Sequence, residues 1–224
     1  MMKRIHHGLL AAMLVTAGGA VGCGEAVPPV DAAPWWEGLP YASEMVSFTP
    51  GEGAGYGEQA LPDVVLGPPQ GKGELAASLD VLSLGDGGEI VLGFGDRVIV
   101  DGPGADFVVF ENPFYADGDP EQVFAELGEV SVSEDGETWV HFACDSTPDD
   151  APPYTGCAGW TPTQEYDALE HPTLSLELTG GDGFDLADVG LSRARYVRIR
   201  DLWGVGATPS QGFDLDAVGI LNAE

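Results

Sequence analysis

From Met45 onward this chain never runs far before glycine, proline, aspartate or asparagine interrupts it, and the breaks recur about every eight to twelve positions. Between the breaks stand short runs of apolar and β-branched residues. With 33 glycines and 17 prolines, long helices are excluded, since each interior glycine costs a helix about 1 kcal/mol and each proline about 3. The pattern predicts an all-β domain of many short strands. Candidate strands are Met45–Phe48, Ser78–Leu82, Glu89–Gly93, Arg97–Val100, Asp106–Glu111, Gly128–Ser133, Trp139–Ala143, Ala194–Asp201 and Phe213–Leu221. Only Glu121–Leu127 and Phe184–Val189 have the composition for a helical turn or two.

Two segments sharpen this. Val130-Ser-Val-Ser-Glu-Asp-Gly-Glu-Thr-Trp139 reads as a strand, a tight turn with Gly136 where positive φ is allowed, and a returning strand opened by an aromatic. In Ala194-Arg-Tyr-Val-Arg-Ile-Arg200, Val197 and Ile199 share one face of a strand, while Tyr196, Arg198 and Arg200 share the other. In this order the two segments resemble the discoidin or coagulation-factor type C family and the wider galactose-binding-like jelly rolls. The resemblance is clearest over residues 130 to 221, and it implies a jelly-roll β-sandwich. The closing Gly212-Phe-Asp-Leu-Asp-Ala-Val218 is similar to the last strand of several carbohydrate-binding modules. Val46 to Tyr56 and Asp101 to Phe114 resemble stretches of bacterial cell-surface proteins.

The N-terminus sets the expected compartment. Lys3 and Arg4 form a basic start, and Leu9 to Ala20 is an apolar run of signal-peptide length, too short to span a bilayer as a helix. Ala20-Val21-Gly22-Cys23 resembles a bacterial lipobox, which implies a diacylglycerol on Cys23, with Ala20 standing where that family prefers leucine. The expected organisation is a signal peptide over 1–22, a lipid-anchored Pro/Ala-rich tether over 23–40 and one β-sandwich over 41–224. Trp35 and Trp36 stand where folded sequence begins. The expected location is the cell envelope, at the outer membrane or cell surface.

Losing the basic start leaves 37 acidic residues against six Lys and Arg, a net charge near −31. A surface of that sign repels nucleic acid, so none is expected as a partner. Four of the six, Arg193, Arg195, Arg198 and Arg200, lie together; ion pairing with neighbouring acids is expected, rather than an anion site. Apart from Cys23, only Cys144 and Cys157 remain, and in an oxidising compartment they are expected to form a disulfide. They lack the ligand spacing of a zinc site.

A near repeat, Gly183-Phe-Asp-Leu-Ala-Asp-Val-Gly190 against Gly212-Phe-Asp-Leu-Asp-Ala-Val-Gly219, places aspartates between apolar anchors. Two readings are open: turn chemistry, with Asp accepting backbone N–H bonds, or calcium, which takes six to eight oxygens from carboxylates, amides and loop carbonyls. Gly180-Gly-Asp-Gly183 is a loop able to supply such carbonyls, and a structural calcium is also what the galactose-binding-like resemblance implies. The calcium candidates are Asp182, Asp185, Asp188, Asp214 and Asp216, with Glu111 and Asn112 from another strand end. Glu111-Asn-Pro-Phe-Tyr115 couples a polar pair to aromatics, a combination that suits sugar hydroxyls beside a ring platform. Tyr115, Trp160, Tyr166 and Trp203 are the candidate glycan-contacting rings, each with the alternative of packing under a loop.

The sequence has no GxSxG, HExxH, P-loop or dinucleotide-binding motif, and His141 and His171 have no evident nucleophile beside them. The expected function is therefore non-catalytic binding, to carbohydrate or another surface component, with calcium as a structural cofactor. A structural component of the envelope is the first alternative. A carbohydrate-active enzyme with a carboxylate pair is the second.

Overall fold

The computed structural model describes residues 33–144, 153–202 and 212–224, so the calls at Cys23 and Trp203 lie outside the described residues. Pro34–Glu224 forms one compact unit. Its larger sheet is antiparallel, in the order Glu44–Thr49, Glu89–Gly93, Tyr196–Asp201, Gly128–Ser133, Cys157–Ala158, with Val140–His141 also paired to the 128–133 strand. The smaller sheet is Asp182–Phe184, Phe107–Phe110, Ala217–Ile220, again antiparallel. The chain passes back and forth between the sheets, and the result is the all-β jelly-roll sandwich expected from the sequence.

Alternation builds the core. Ile90, Leu92, Val130, Val132, Val197 and Ile199 from the larger sheet share one buried cluster with Phe107, Val109, Phe184, Val218 and Ile220 from the smaller. The other face of the smaller sheet is also covered: Val108, Phe110 and Ala217 pack with Tyr41, Ala168 and Leu174. That is why 107–110 reads Phe-Val-Val-Phe without a polar position, as a strand buried on both faces must. On the outer face of the larger sheet the Arg198 guanidinium lies 4.4 Å from the centre of the Trp139 ring and 3.7 Å from Glu89, while Arg193 pairs with Glu134 and Glu224. Ion pairing thus accounts for these two arginines, as expected. The turn between the 128–133 strand and Val140–His141 is held by Asp135, whose carboxylate accepts from the backbone N–H of Glu137 and Thr138. Those bonds hold its pKa down at about 2.

The first and last core residues meet. Ile220 donates to Pro40 O at 2.7 Å, and Ala42 donates to Val218 O at 2.8 Å. Arg97 fixes the same entry by donating to the carbonyls of Gly38 and Leu39. No helix among the described residues is long and apolar enough to cross a membrane.

Two local expectations need correction. Glu121–Leu127 is not helical: Val123–Phe124 is extended and pairs with Phe114–Tyr115, and the Phe114 and Phe124 rings stack at 5.2 Å. Cross-strand ring packing there outweighs the helix propensity of Glu, Ala and Leu. The expected Ser78–Leu82 strand contracts to Leu82–Ser83, paired with Asp214–Leu215. Phe184–Val189 does contain its turn, a 3₁₀ segment at Leu186–Val189.

Cys144 and Cys157 form the expected disulfide. Cys157 is fully buried in its strand beside Glu129, so the bridge ties a sheet edge to a loop start. With a sequence separation of 13 between the two cysteines, the closed loop should contribute about 3 kcal/mol. A thermal melt in a thiol reductant, or of the Cys144→Ser, Cys157→Ser double variant, should fall by about 5–10 °C. A melting temperature unmoved by either treatment would refute this.

Candidate functional site

Two places in the fold gather groups with chemistry to offer, one buried and one open. The buried one forms where the 107–110 strand ends. The next residue, Glu111, lies against the start of the last strand, so its carboxylate meets Asp214 and accepts the Asp214 N–H at 3.3 Å. Glu126, two residues before the 128–133 strand, completes the group. One oxygen from each of Glu111, Glu126 and Asp214 lies within 4.8 Å of the other two. All three side chains are inside the protein, at 2%, 8% and 9% exposure. Glu111 Oε2 and Asp214 Oδ1 have no hydrogen-bond partner.

The electrostatics follow from that crowding. Burial first, and then the charges of Asp214 and Glu126, push the Glu111 carboxyl well above the usual carboxylate range. Burial and the Asp214 and Asp201 charges push Glu126 up to about 8. Burial also raises Asp214, against hydrogen bonds from Ser83 and Asn112 that lower it. No basic side chain among the described residues is part of this balance.

The calcium candidates therefore divide. Glu111 and Asp214 come together, with Asn112 at Asp214 and also donating to Ser78 O at 3.0 Å. Asp182 is buried nearby, but one of its oxygens accepts the Gly159 and Trp160 N–H groups at 2.7 and 3.1 Å and so shapes that loop. Burial leads in raising its pKa to about 6. Asp185 caps the 3₁₀ turn through the Ala187 N–H, and Asp188 is exposed. Asp216 accepts the Gln70 N–H with both oxygens, at 2.9 and 3.0 Å. A second acidic group, Asp101, Asp106 and Asp185, is of a different kind, because the Asp106 and Asp185 carboxylates there already accept hydrogen bonds.

The open place is a groove of about 670 Å³ between the 68–72 and 165–171 loops, with Trp35 on its wall. Trp35 is 58% exposed. Tyr166 stacks on His171 with ring centres 6.0 Å apart and donates its hydroxyl to the His171 carbonyl. Lys72 and Glu165 supply polar ends, and Asp167 holds the turn by accepting from the Leu169 N–H. Glu165 and Leu178 continue into a neighbouring hollow of about 490 Å³ that contains Tyr115. Of the candidate rings, Tyr166 and Tyr115 thus face this surface. Trp160 lines neither hollow; half-buried, it packs edge-on to Tyr154 at 6.2 Å and donates to Cys157 O. Sequence reasoning missed Trp35 as a wall, although the paired indoles marked that point, and missed Glu126, which no local signal distinguishes.

No family model matches the chain, and no curated protein matches it. The C-terminal domain of a chitobiase from Bacteroides fragilis is similar at 14% identity and a TM-score of 0.35, over 79% of this chain and 91% of that one. CBM32 of AlyQ, in complex with 4,5-unsaturated mannuronic acid, is similar at 14% identity and a TM-score of 0.33, over 80% of this chain and 96% of that one. A glycoside hydrolase is similar at 13% identity and a TM-score of 0.28, over 62% of this chain and 22% of its own. This chain is an antiparallel β-sandwich. Its own strand pairing and shared core establish that architecture.

Proposed function

We propose that the domain is a non-catalytic module that binds carbohydrate, held at the cell envelope by a lipid on Cys23 and stabilised by calcium. The observation that carries the binding reading is the open groove, where Trp35 and Tyr166 stand among Lys72, Glu165 and Gln70. Rings beside hydrogen-bonding side chains suit a sugar, whose C–H face packs on an aromatic while its hydroxyls need polar partners. The non-catalytic reading is supported by the separation of the two places. Glu111, Glu126, Asp182, Asp214 and Asp216, the carboxyls whose pKa values burial raises, lie inside the fold, and none lines the groove. A strongly acidic surface favours a neutral or amine-bearing glycan over a polyanion.

Electrophoresis through gels containing neutral polysaccharides tests the reading. Trp35→Ala should weaken retention about tenfold or more, as loss of a central aromatic anchor does. If Trp35→Ala and Tyr166→Ala are both retained like the parent, the groove is not the site. The anchor has its own check: the mature chain should carry a diacylglycerol mass on Cys23, and Cys23→Ser should move it from the membrane to the soluble fraction.

A further inference from the structure

Beside the groove, and sharing Trp35 with it, lies a smaller hollow of about 320 Å³ that the glycan reading leaves unused. Two tryptophans, Trp35 and Trp36, and three acids, Asp63, Asp80 and Asp216, line it, drawn from four separate segments of the chain. Each segment is held in place. The turn that carries the indoles is closed by the Glu37 N–H on Pro34 O at 2.9 Å and the Leu39 N–H on Trp36 O at 3.0 Å. The Trp36 ring lies directly on Gly67, where a β-carbon would come within 2.6 Å of it, so only glycine leaves the ring its place. Asp63 opens the 3₁₀ turn Asp63–Val65, the Ser78 hydroxyl accepts the Asp80 N–H at 3.1 Å, and Asp216 is fixed by Gln70. Walls set before a ligand arrives cost little to order when it binds.

The lining pairs indoles with acids and contains no basic side chain. Lys72, whose charge reaches Asp216, lines the groove and not this hollow. Asp63 and Asp80 are exposed, and among the described residues neither is in an ion pair. Nor, among those residues, do the three acids bring their oxygens within 4.8 Å of one another, as Glu111, Glu126 and Asp214 do. A bare metal ion needs its ligand oxygens that close, whereas a bulky cation spans the gap. Indoles attract such a cation through their ring faces and accept its alkyl groups as apolar contacts. We propose that this hollow is a binding site for an alkylated ammonium group of the trimethylammonium kind, with Trp35 and Trp36 packed on its methyl groups and Asp63 and Asp80 as its counter-charge. The volume is at the small end of ligand pockets, about 300–1,000 Å³, so it takes a headgroup or a small solute and not a polymer. The site is independent of both the glycan and the calcium readings.

Calorimetric titration of the full chain with choline chloride tests this, run beside neohexyl alcohol, the uncharged carbon analogue of choline. Choline should saturate one site and bind about tenfold tighter than the analogue. The Asp63→Asn, Asp80→Asn double variant changes only exposed side chains and should weaken choline by about tenfold, while Glu121→Gln, Glu137→Gln, which removes two exposed acids elsewhere, should bind like the parent. Trp36→Ala should abolish binding, and Trp36→Phe should restore part of it. No binding of choline, equal binding of the analogue, or a double aspartate variant that binds as tightly as the parent would each overturn the proposal. Sedimentation with phosphatidylcholine vesicles separates the sources: pelleting that the double aspartate variant loses supports a lipid headgroup as the occupant, and choline binding without pelleting supports a free solute.

Discussion

Asp106→Ala is expected to cost the domain about 3–5 kcal/mol, the largest loss from any single polar side chain described here. Asp106 is fully buried, and its carboxylate is an acceptor for three separate parts of the chain. Oδ1 accepts the Gly102 N–H at 2.8 Å and the Asn222 side-chain N–H at 2.9 Å, and Oδ2 accepts the Leu186 N–H at 2.8 Å. Alanine would leave those donors without a partner, and an unsatisfied buried donor costs about 1–3 kcal/mol. Its backbone pairs with Phe184, Leu221 and Asn222, so the side chain and main chain together join the smaller sheet to the C-terminus. Asp106→Asn should lose less, since one oxygen remains to accept. Denaturant unfolding of the three proteins gives the order parent, Asn, Ala in falling midpoint. An alanine variant within 1 kcal/mol of the parent would show that the donors find other partners.

The second large effect is a dependence of stability on pH, through Asp216. Burial, more than the nearby Asp80 charge, pushes this carboxyl up to about 8, against the Gln70 N–H and the Lys72 charge, which pull it down. In the unfolded chain the same group titrates near 4. The folded state therefore holds a proton that the unfolded state has already released between those values. Stability from this group is complete below about pH 4, erodes as pH rises toward 8, and is flat above. The full span is on the order of 5 kcal/mol. Asp216→Asn keeps an oxygen for Gln70 and removes the charge, so in EDTA it should match the parent at pH 4 and exceed it by a few kcal/mol at pH 8. Parallel stability curves for the two proteins across that range would refute the assignment.

Much of the sandwich was legible because its strands alternate. Val197 and Ile199 are buried and Arg200 is exposed, as the period of two requires, and Glu89–Gly93 and Gly128–Ser133 have the bounds their residues predict. Where an element owes its form to a distant partner, local reading failed: residues 123–124 are extended because Phe124 meets Phe114. The near repeat shows both outcomes in one pattern. Its apolar members are buried as expected, with Phe184, Leu186, Phe213, Leu215 and Val218 in the core. Its aspartates share no common task, since Asp185 caps a turn, Asp214 joins two glutamates and Asp216 holds Gln70. Glu126 was illegible for a plain reason: nothing within its own segment distinguishes it, and only the fold brings it to Glu111 and Asp214.

The meeting of residues 40–42 with 218–220 sets the order in which this chain can mature. The 217–220 strand lies between the 107–110 strand and the entry segment, so neither the smaller sheet nor the core above it can close until that strand has left the ribosome. A domain whose core waits for its 217–220 strand stays threadable until that strand is made, which is the state a polypeptide needs if it is to be passed through a membrane channel before it assumes its shape.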